Sequence, residues 1–454
     1  MDGNDGRVTL TARSKLVVAM TVVATACGGS GGAPPGDAAV DAGMPIDLFD
    51  PAVVQRFELE VVPADWQWLL DHARDEQYVP ATFVFGGQRY TSAAVRFKGD
   101  YGTLLSCFDE VTGQRICDKL SLKISFNEYG PGRFLGLRKL ILNSSVRDPS
   151  MVHEVLAYGM YRAAGLAAPR ATHATIKVNG ESLGLFVLVE NLDKEFLEDH
   201  FANPEGNLYK GVWPQYATPT RYVAALTTNE AVADVSRMLA FQAAIAGTTD
   251  TTFAADIAPF LDLDQLARYL AADRVVNSPD GIRGFYCYES PWTECENSNY
   301  YWYETPGGKL TLIPWDVDYT FDEIDQDLAR SYADTSAQAC TPVPSCVYWN
   351  EPGCDPATET VYLRAPQCDS LYGMVHRSTA TATGQHMRTL LDTAIANGKL
   401  LATHAALVTK VRGEVAIDPH GPGLTAFDDA NMSLDDVIAG QETEVRARLT
   451  ELGL

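Results

Sequence analysis

TFVFGGQRYTSAAVRFKGD, residues 82–100, alternates apolar and polar side chains on both sides of Gly86-Gly87, which predicts two antiparallel strands joined by a tight turn. FELEVV at 57–62 alternates in the same way before it, and KLSLKISF at 119–126 after it, so that Lys119, Ser121, Lys123 and Ser125 are expected on one face of a strand. ATHATIKVNGESLGLFVLVEN at 171–191 predicts a second hairpin turning at Asn179-Gly180, and YYWYE with KLTLIPW at 300–315 a third. Helices are expected between these strands. One starts at Asp148-Pro149, a good cap followed by a good first helical residue, and runs through MVHEVLAYGMYRAAG to Gly165. Another covers LDLDQLARYLAADRVVNS, and more fill the chain from 380 onward. Hairpins interrupted by helices predict an α+β fold with antiparallel sheets and a helical C-terminal part, and no regular βαβ series.

With 454 residues, 46% of them hydrophobic, the chain has enough apolar material for a large core, and a net charge of −24 excludes nucleic acid and anionic membrane surfaces as natural partners. Divalent cations and neutral or basic partners suit it better. The leader carries Arg7, Arg13 and Lys15 before an apolar run of about eleven residues, the length of an export signal rather than of a membrane span. That run ends in Ala24-Thr25-Ala26-Cys27, which resembles a bacterial lipobox with Cys27 as the lipidated residue. Residues 1–27 are therefore expected to be a lipoprotein signal, 28–46 a Gly/Pro/Ala tether, and 47–454 the folded part.

Eight cysteines remain: Cys107, Cys117, Cys287, Cys295, Cys340, Cys346, Cys354 and Cys368. No pair has zinc-ribbon spacing, and disulfides in an oxidising compartment are expected. Cys107 with Cys117 and Cys287 with Cys295 are the preferred local pairs, while the last four admit three pairings. Residues 325–375 read as a cysteine-rich loop.

Three short motifs favour bland readings. Gly180-Glu181-Ser182-Leu183-Gly184 matches GxSxG but lies between strand-like runs, where no nucleophile elbow forms. DVDYTFDEIDQD at 316–327 has Asp316 and Asp318 at the first ligand positions of a calcium loop, but Phe321 replaces its glycine and Asp327 its closing glutamate. His153 and His173 have no histidine partner at ligand spacing. The carboxylates of LIPWDVDYTFDE at 312–323 are another matter. In extended chain Asp316 and Asp318 point to the same side, and two such charges repel unless a cation or proton lies between them.

The order of VRFKGD, KLSLKISF, residues 134–170, IKVNGESLGLFVLVENLDKEFL, GNLYKG, NSPDG, NSNYYWY and LIPWDVDYTF is similar to that of the CotH kinase family, named after spore coat protein H, over roughly residues 90–325. The resemblance implies an atypical protein-kinase-like fold that transfers phosphate from ATP to serine or threonine hydroxyls of exported proteins. It implies Asp280 in NSPDG as the catalytic aspartate, Asp316 as the holder of Mg2+ or Mn2+, Asn299 as a second ligand and Asp318 as a neighbouring ligand or support. Lys123 or Lys119 would pair with the phosphates of ATP, Glu190 would orient that lysine, and Arg96 and Lys98 would neutralise further phosphate charge. Such chemistry needs divalent ions, a cation on the transferring phosphate and a carboxylate beside the attacking hydroxyl. Two departures stand out: IRGFYCYESPWTECENS, between Asp280 and Asn299, is long for the family, and VRFKGD lacks its RGNS-like ending. An exported protein meets little ATP, so the alternative is a surface-binding module that keeps the fold without catalysis. The expected location is the cell envelope, with the membrane reached only through the lipid.

Overall fold

A computed structural model describes residues 46–100, 104–109, 111–288, 295–321, 336–348, 355, 360–451 and 453–454. Cys27 and the tether lie outside the described residues apart from Ile46, and Asp47–Leu454 form one compact unit.

The predicted hairpins close on themselves. Strands β1 (Val54–Val61), β2 (Val79–Phe85), β3 (Gln88–Phe97), β4 (Leu122–Ser125), β5 (Lys139–Asn143), β6 (Ala171–Val178) and β7 (Glu181–Glu190) form a barrel in the order β1-β2-β3-β4-β5-β7-β6. Every neighbouring pair is antiparallel except β6 with β1, the parallel pairing that closes the ring. Both turns form where the sequence places them, with Gly86, Gly87, Asn179 and Gly180 all at positive φ. Inside the barrel, Phe57, Phe83, Phe126 and Phe134 pack mostly edge to face and bury their rings. Ser182 lies in β7, its hydroxyl accepting from the Gly184 N–H at 3.2 Å, so GxSxG is a hairpin element.

Helices surround the rest of the chain: α1 (Pro63–Asp71), α2 (His153–Ala163), α3 (Lys194–His200), α4 (Pro219–Ala225), α5 (Ser236–Gly247), α6 (Phe253–Ile257), α7 (Leu263–Val275), α8 (Ser345–Tyr348), α9 (Ser370–Leu390), α10 (Lys399–Val415) and α11 (Gly423–Glu451). Two small sheets lie among them. β8 (Asn207–Lys210), β11 (Tyr300–Glu304) and β12 (Leu310–Pro314) form one, in the order β12-β11-β8. β9 (Phe285–Cys287), β10 (Cys295–Glu296), β13 (Val343–Pro344) and β14 (Tyr362–Arg364) form the other, in the order β10-β9-β14-β13. This second sheet joins the long insert after Asp280 to the cysteine-rich stretch, which is therefore partly ordered rather than all loop. Two local disulfides form as expected, Cys107–Cys117 and Cys287–Cys295. Of the last four cysteines Cys340 pairs with Cys368, Cys346 is also disulfide-bonded, and Cys354 lies outside the described residues.

Helix α2 links barrel and helices. Its Val155 and Leu156 share one core with Ile141, Val187 and Val189 of the barrel wall and with Leu266 and Leu270 of α7. The helix starts later than the sequence suggested. The Asp148 carboxylate accepts from the backbone N–H groups of Ser150, Met151 and His153 at 2.9–3.1 Å, so Asp148 organises the approach and the first helical residue is His153. Among the described residues no helix is long and apolar enough to cross a membrane.

Candidate active site

The site forms where four stretches meet: the loop after α7, the start of β11, the end of β12, and β5 with α2. After α7 the chain turns at Asn277, which has φ 48°, and the loop folds back so that the Ser278 N–H donates to the Asp273 carbonyl at 3.1 Å. Below it a buried ion pair joins Arg283 to Asp273 at 2.6 Å, and the Tyr161 hydroxyl donates to the same carboxylate at 3.2 Å. Gly284 permits this fold-back, because a Cβ there would lie 2.5 Å from the Pro279 carbonyl oxygen. The loop therefore presents Asp280 on a fixed base.

Asp280 is held on both carboxylate oxygens. The Asn299 side-chain amide donates to Oδ2 at 2.8 Å and to the Asp280 carbonyl at 3.0 Å, and the Tyr286 hydroxyl donates to Oδ1. Burial pushes the Asp280 carboxyl up to about 6; the Tyr286 and Asn299 bonds and Arg147 pull it down, while Asp316 pushes it up. Asn299 has φ 61°, and its carbonyl accepts from the Trp315 N–H at 3.2 Å, which ties the start of β11 to the residue before Asp316. The Asn299 amide, expected as a metal ligand, here clamps Asp280.

Strand β12 ends at Pro314, and Asp316 has φ 53° with its N–H donating to the Tyr158 hydroxyl at 3.1 Å. The extended-chain argument for Asp316 and Asp318 is therefore corrected, since neither is in a strand. They are nonetheless neighbours. The Asp318 carboxyl is pushed well above its usual range by burial, then by Asp316, Glu154, Asp280 and Asp148 in that order.

Glu154, which the sequence analysis passed over, completes this acidic group. It is 2% exposed on α2, and the Asn143 amide donates to both its oxygens at 2.9 and 2.8 Å. Burial, then Asp316, pushes Glu154 up to about 8, opposed by the Asn143 bond and Lys98. Lys98 in turn donates to Asn143 Oδ1 at 2.9 Å. A cation on the barrel is thereby joined to a carboxylate on α2 through one amide. The one available signal was a lone acid within the buried run of MVHEVLAYGM; Asn143 and Tyr286 gave none.

The expected phosphate-binding cations separate into two groups. Lys123 is largely buried in β4 and is pushed down to about 7 by burial, then by Lys139, Arg96 and Lys98, with Asp193 opposing. Lys123, Lys98 and Arg96 therefore share one electropositive neighbourhood on β3 to β5. Arg96 is also paired with Glu76 at 2.6 Å and lies over the Tyr78 ring. Lys119 does not join them. The strand begins only at Leu122, and Lys119 turns away to pair with Asp418 at 2.6 Å and to donate to the Leu185 carbonyl at 2.8 Å, almost wholly buried. Nor does Glu190 orient a lysine: its partners are Arg170 and His200, and its carboxyl lies below the usual range despite burial because both bond to it.

Among the described residues no three His, Cys, Asp or Glu side chains form a ready-made metal site. The acidic group still suits Mg2+ or Mn2+ bound in the manner of phosphate-transfer sites, where one or two carboxylates share the ion with water and substrate phosphates. Asp316 and Asp318 could supply that pair, and a cation there would relieve their crowding with Glu154 and Asp280.

The profile of the family described as CotH kinase protein matches residues 95–352. Inner spore coat protein H of Bacillus subtilis (strain 168) is 22% identical over 282 residues, 58% of this chain and 68% of that protein. An inner spore coat protein H-like protein of the same organism is 31% identical over 81 residues, 18% of this chain and 25% of its own length. The crystal structure of the Helicobacter pylori proinflammatory kinase CtkA aligns with 80% of this chain and 91% of its own at 10% identity, with a TM-score of 0.21. The family match includes Lys98, Asn143, Glu154, Asp280, Asn299 and Asp316 and spans more than half of the sequence: the protein belongs to the CotH kinase family.

Proposed function

We propose that the protein is an exported kinase that moves the γ-phosphoryl group of ATP to serine or threonine hydroxyls of envelope or surface proteins, with Mg2+ or Mn2+. The observation that carries this reading is the convergence of a clamped, partly buried Asp280, the Asp316–Asp318 pair and the Lys98–Asn143–Glu154 chain beside Lys123. Asp280 accepts the proton of the attacking hydroxyl, and the Asn299 amide on Oδ2 fixes the direction in which its other oxygen faces. Lys98 and Lys123 bind the phosphates, Lys98 being held in place through Asn143 by an acid on α2. Asp316, with Asp318 beside it, would hold the divalent ion, which when bound neutralises charge on the phosphate oxygens. Three disulfides among the described residues support an oxidising compartment, and Cys27 is proposed as the lipid attachment point that leaves the domain tethered outside the cytoplasm.

Incubation of the purified protein with labelled ATP and Mg2+ or Mn2+ tests this. Label should pass to envelope proteins or to the enzyme itself, and Asp280→Asn and Asp316→Asn should each abolish it. Absence of transfer together with absence of nucleotide binding refutes the kinase reading; transfer that survives both substitutions refutes the residue roles.

A further inference from the structure

The Tyr286 hydroxyl donates to Asp280 Oδ1 while Asn299 holds Oδ2, so both oxygens of the proposed base are engaged. A hydrogen bond donated by a hydroxyl is what an acceptor serine or threonine must itself make to the base before attack. Tyr286 thus stands where the acceptor's hydroxyl belongs. Its strand is firmly placed: Tyr286 lies opposite Glu296 of β10 on one side and Leu363 of β14 on the other, and Cys287 beside it is bonded to Cys295. The strand is held in register on both sides, so only a turn of the side chain takes the hydroxyl off Oδ1.

We infer that the Tyr286 hydroxyl closes the acceptor position on Asp280 until a protein hydroxyl displaces it, and so prevents water from serving as the acceptor. The inference rests on the kinase reading above. Without the tyrosine hydroxyl, a water molecule bonds to Oδ1. As its oxygen forms a bond to the γ-phosphorus, the bond from that phosphorus to the bridging oxygen of ATP breaks, the water proton passes to Asp280, and ADP and inorganic phosphate leave. A protein acceptor gains entry because its binding to the surrounding wall compensates for displacing the tyrosine, which water alone cannot do.

The test uses the full-length protein, Tyr286→Phe, and Tyr286→Leu as a second variant, each checked for an unchanged melting curve and an intact Cys287–Cys295 bond. ADP release is measured with Mg2+ or Mn2+, first without acceptor and then with a serine/threonine peptide library. The expected result is a rise of about tenfold in acceptor-free hydrolysis relative to peptide transfer, the factor that corresponds to losing one hydrogen bond to a charged group. An unchanged ratio overturns the inference, as does a parallel fall in both reactions, which marks Tyr286 as merely orienting Asp280. If the unsubstituted protein neither binds ATP nor transfers its phosphate, the kinase reading fails and this inference with it. Transfer by the unsubstituted protein with no change in ratio in the variants rejects the inference alone.

Discussion

Asp418→Ala tests whether Lys119 is a structural residue. Asp418 Oδ2 accepts from Lys119 Nζ at 2.6 Å and from the Leu185 N–H at 2.8 Å, while Oδ1 accepts from the His420 N–H at 2.9 Å. The Lys119 and Asp418 side chains are 3% and 1% exposed, so solvent does not replace either partner. Packing is equally tight: a Cβ on Gly184 would lie 1.8 Å from Asp418 Oδ1. Removing one member of a buried ion pair costs roughly 3–5 kcal/mol, because the other charge stays buried without its partner. For a folded unit of this size, 1 kcal/mol corresponds to about 1 °C in melting temperature, so Asp418→Ala should melt about 4 °C lower. Gly184→Ala should give a similar loss by expelling the carboxylate. Lys119→Met should destabilise comparably yet leave the KM for ATP unchanged when assayed well below the melting temperature. The assay is a calorimetric melt at pH 7 paired with ATP kinetics. A Lys119→Met protein that melts normally but binds ATP poorly would refute the structural assignment and restore Lys119 to the phosphate site.

Two further outcomes follow from buried titratable groups. Lys123 is pushed down to about 7, chiefly by burial, so it is charged below that pH and neutral above it; ATP affinity should weaken as pH rises through about 7, and binding titrations on Lys123→Met should lack that slope. His173, wholly buried with Nε2 against the Met151 carbonyl at 2.7 Å, is pushed down from 6.5 to about 3 by burial and then by Lys410. The unfolded chain takes up this proton near pH 6.5 and the folded one does not, so acid favours unfolding from about pH 6.5 down toward 3. At pH 5 the effect is about 2 kcal/mol, and urea midpoints compared at pH 7 and pH 5 should show that much less acid sensitivity in His173→Asn.

What the sequence disclosed was what short-range physics decides. Gly86-Gly87 and Asn179-Gly180 specify turns because they accept positive φ. Cys107 with Cys117 and Cys287 with Cys295 are close in the chain and pair accordingly. The parallel β1–β6 pairing is different, since it joins residues over a hundred positions apart and no local pattern announces it. Lys119 departs from its expected place for a related reason. Alternation in KLSLKISF continues past the point where the strand begins, so it placed Lys119 beside Lys123 when a contact with Asp418, from the far end of the chain, takes it elsewhere. Lys98 is legible in VRFKGD, but its link through Asn143 to Glu154 is not, as those two read in isolation as ordinary polar residues.

The backbone around Asp280 explains why the order of segments was more informative than any one motif. Asn277, Asn299, Asp316 and Phe321 all have positive φ, although none is glycine. Such conformations cost of order 1 kcal/mol each and persist only where the surroundings impose them. Here the surroundings come from other segments: the Phe321 N–H donates to the Val276 carbonyl at 2.6 Å, the Asp316 N–H to Tyr158 of α2, and the Trp315 N–H to the Asn299 carbonyl. Each loop is thus held in its unfavourable shape by the next, and each contributes one side chain to the candidate site: Asp280, Asn299, Asp316, and Glu154 on the helix that carries Tyr158. A motif confined to one segment can encode its own turn, but not the partners that make that turn stable. The site is therefore encoded in several short, individually unremarkable stretches, and it is their joint presence that constrains the chemistry.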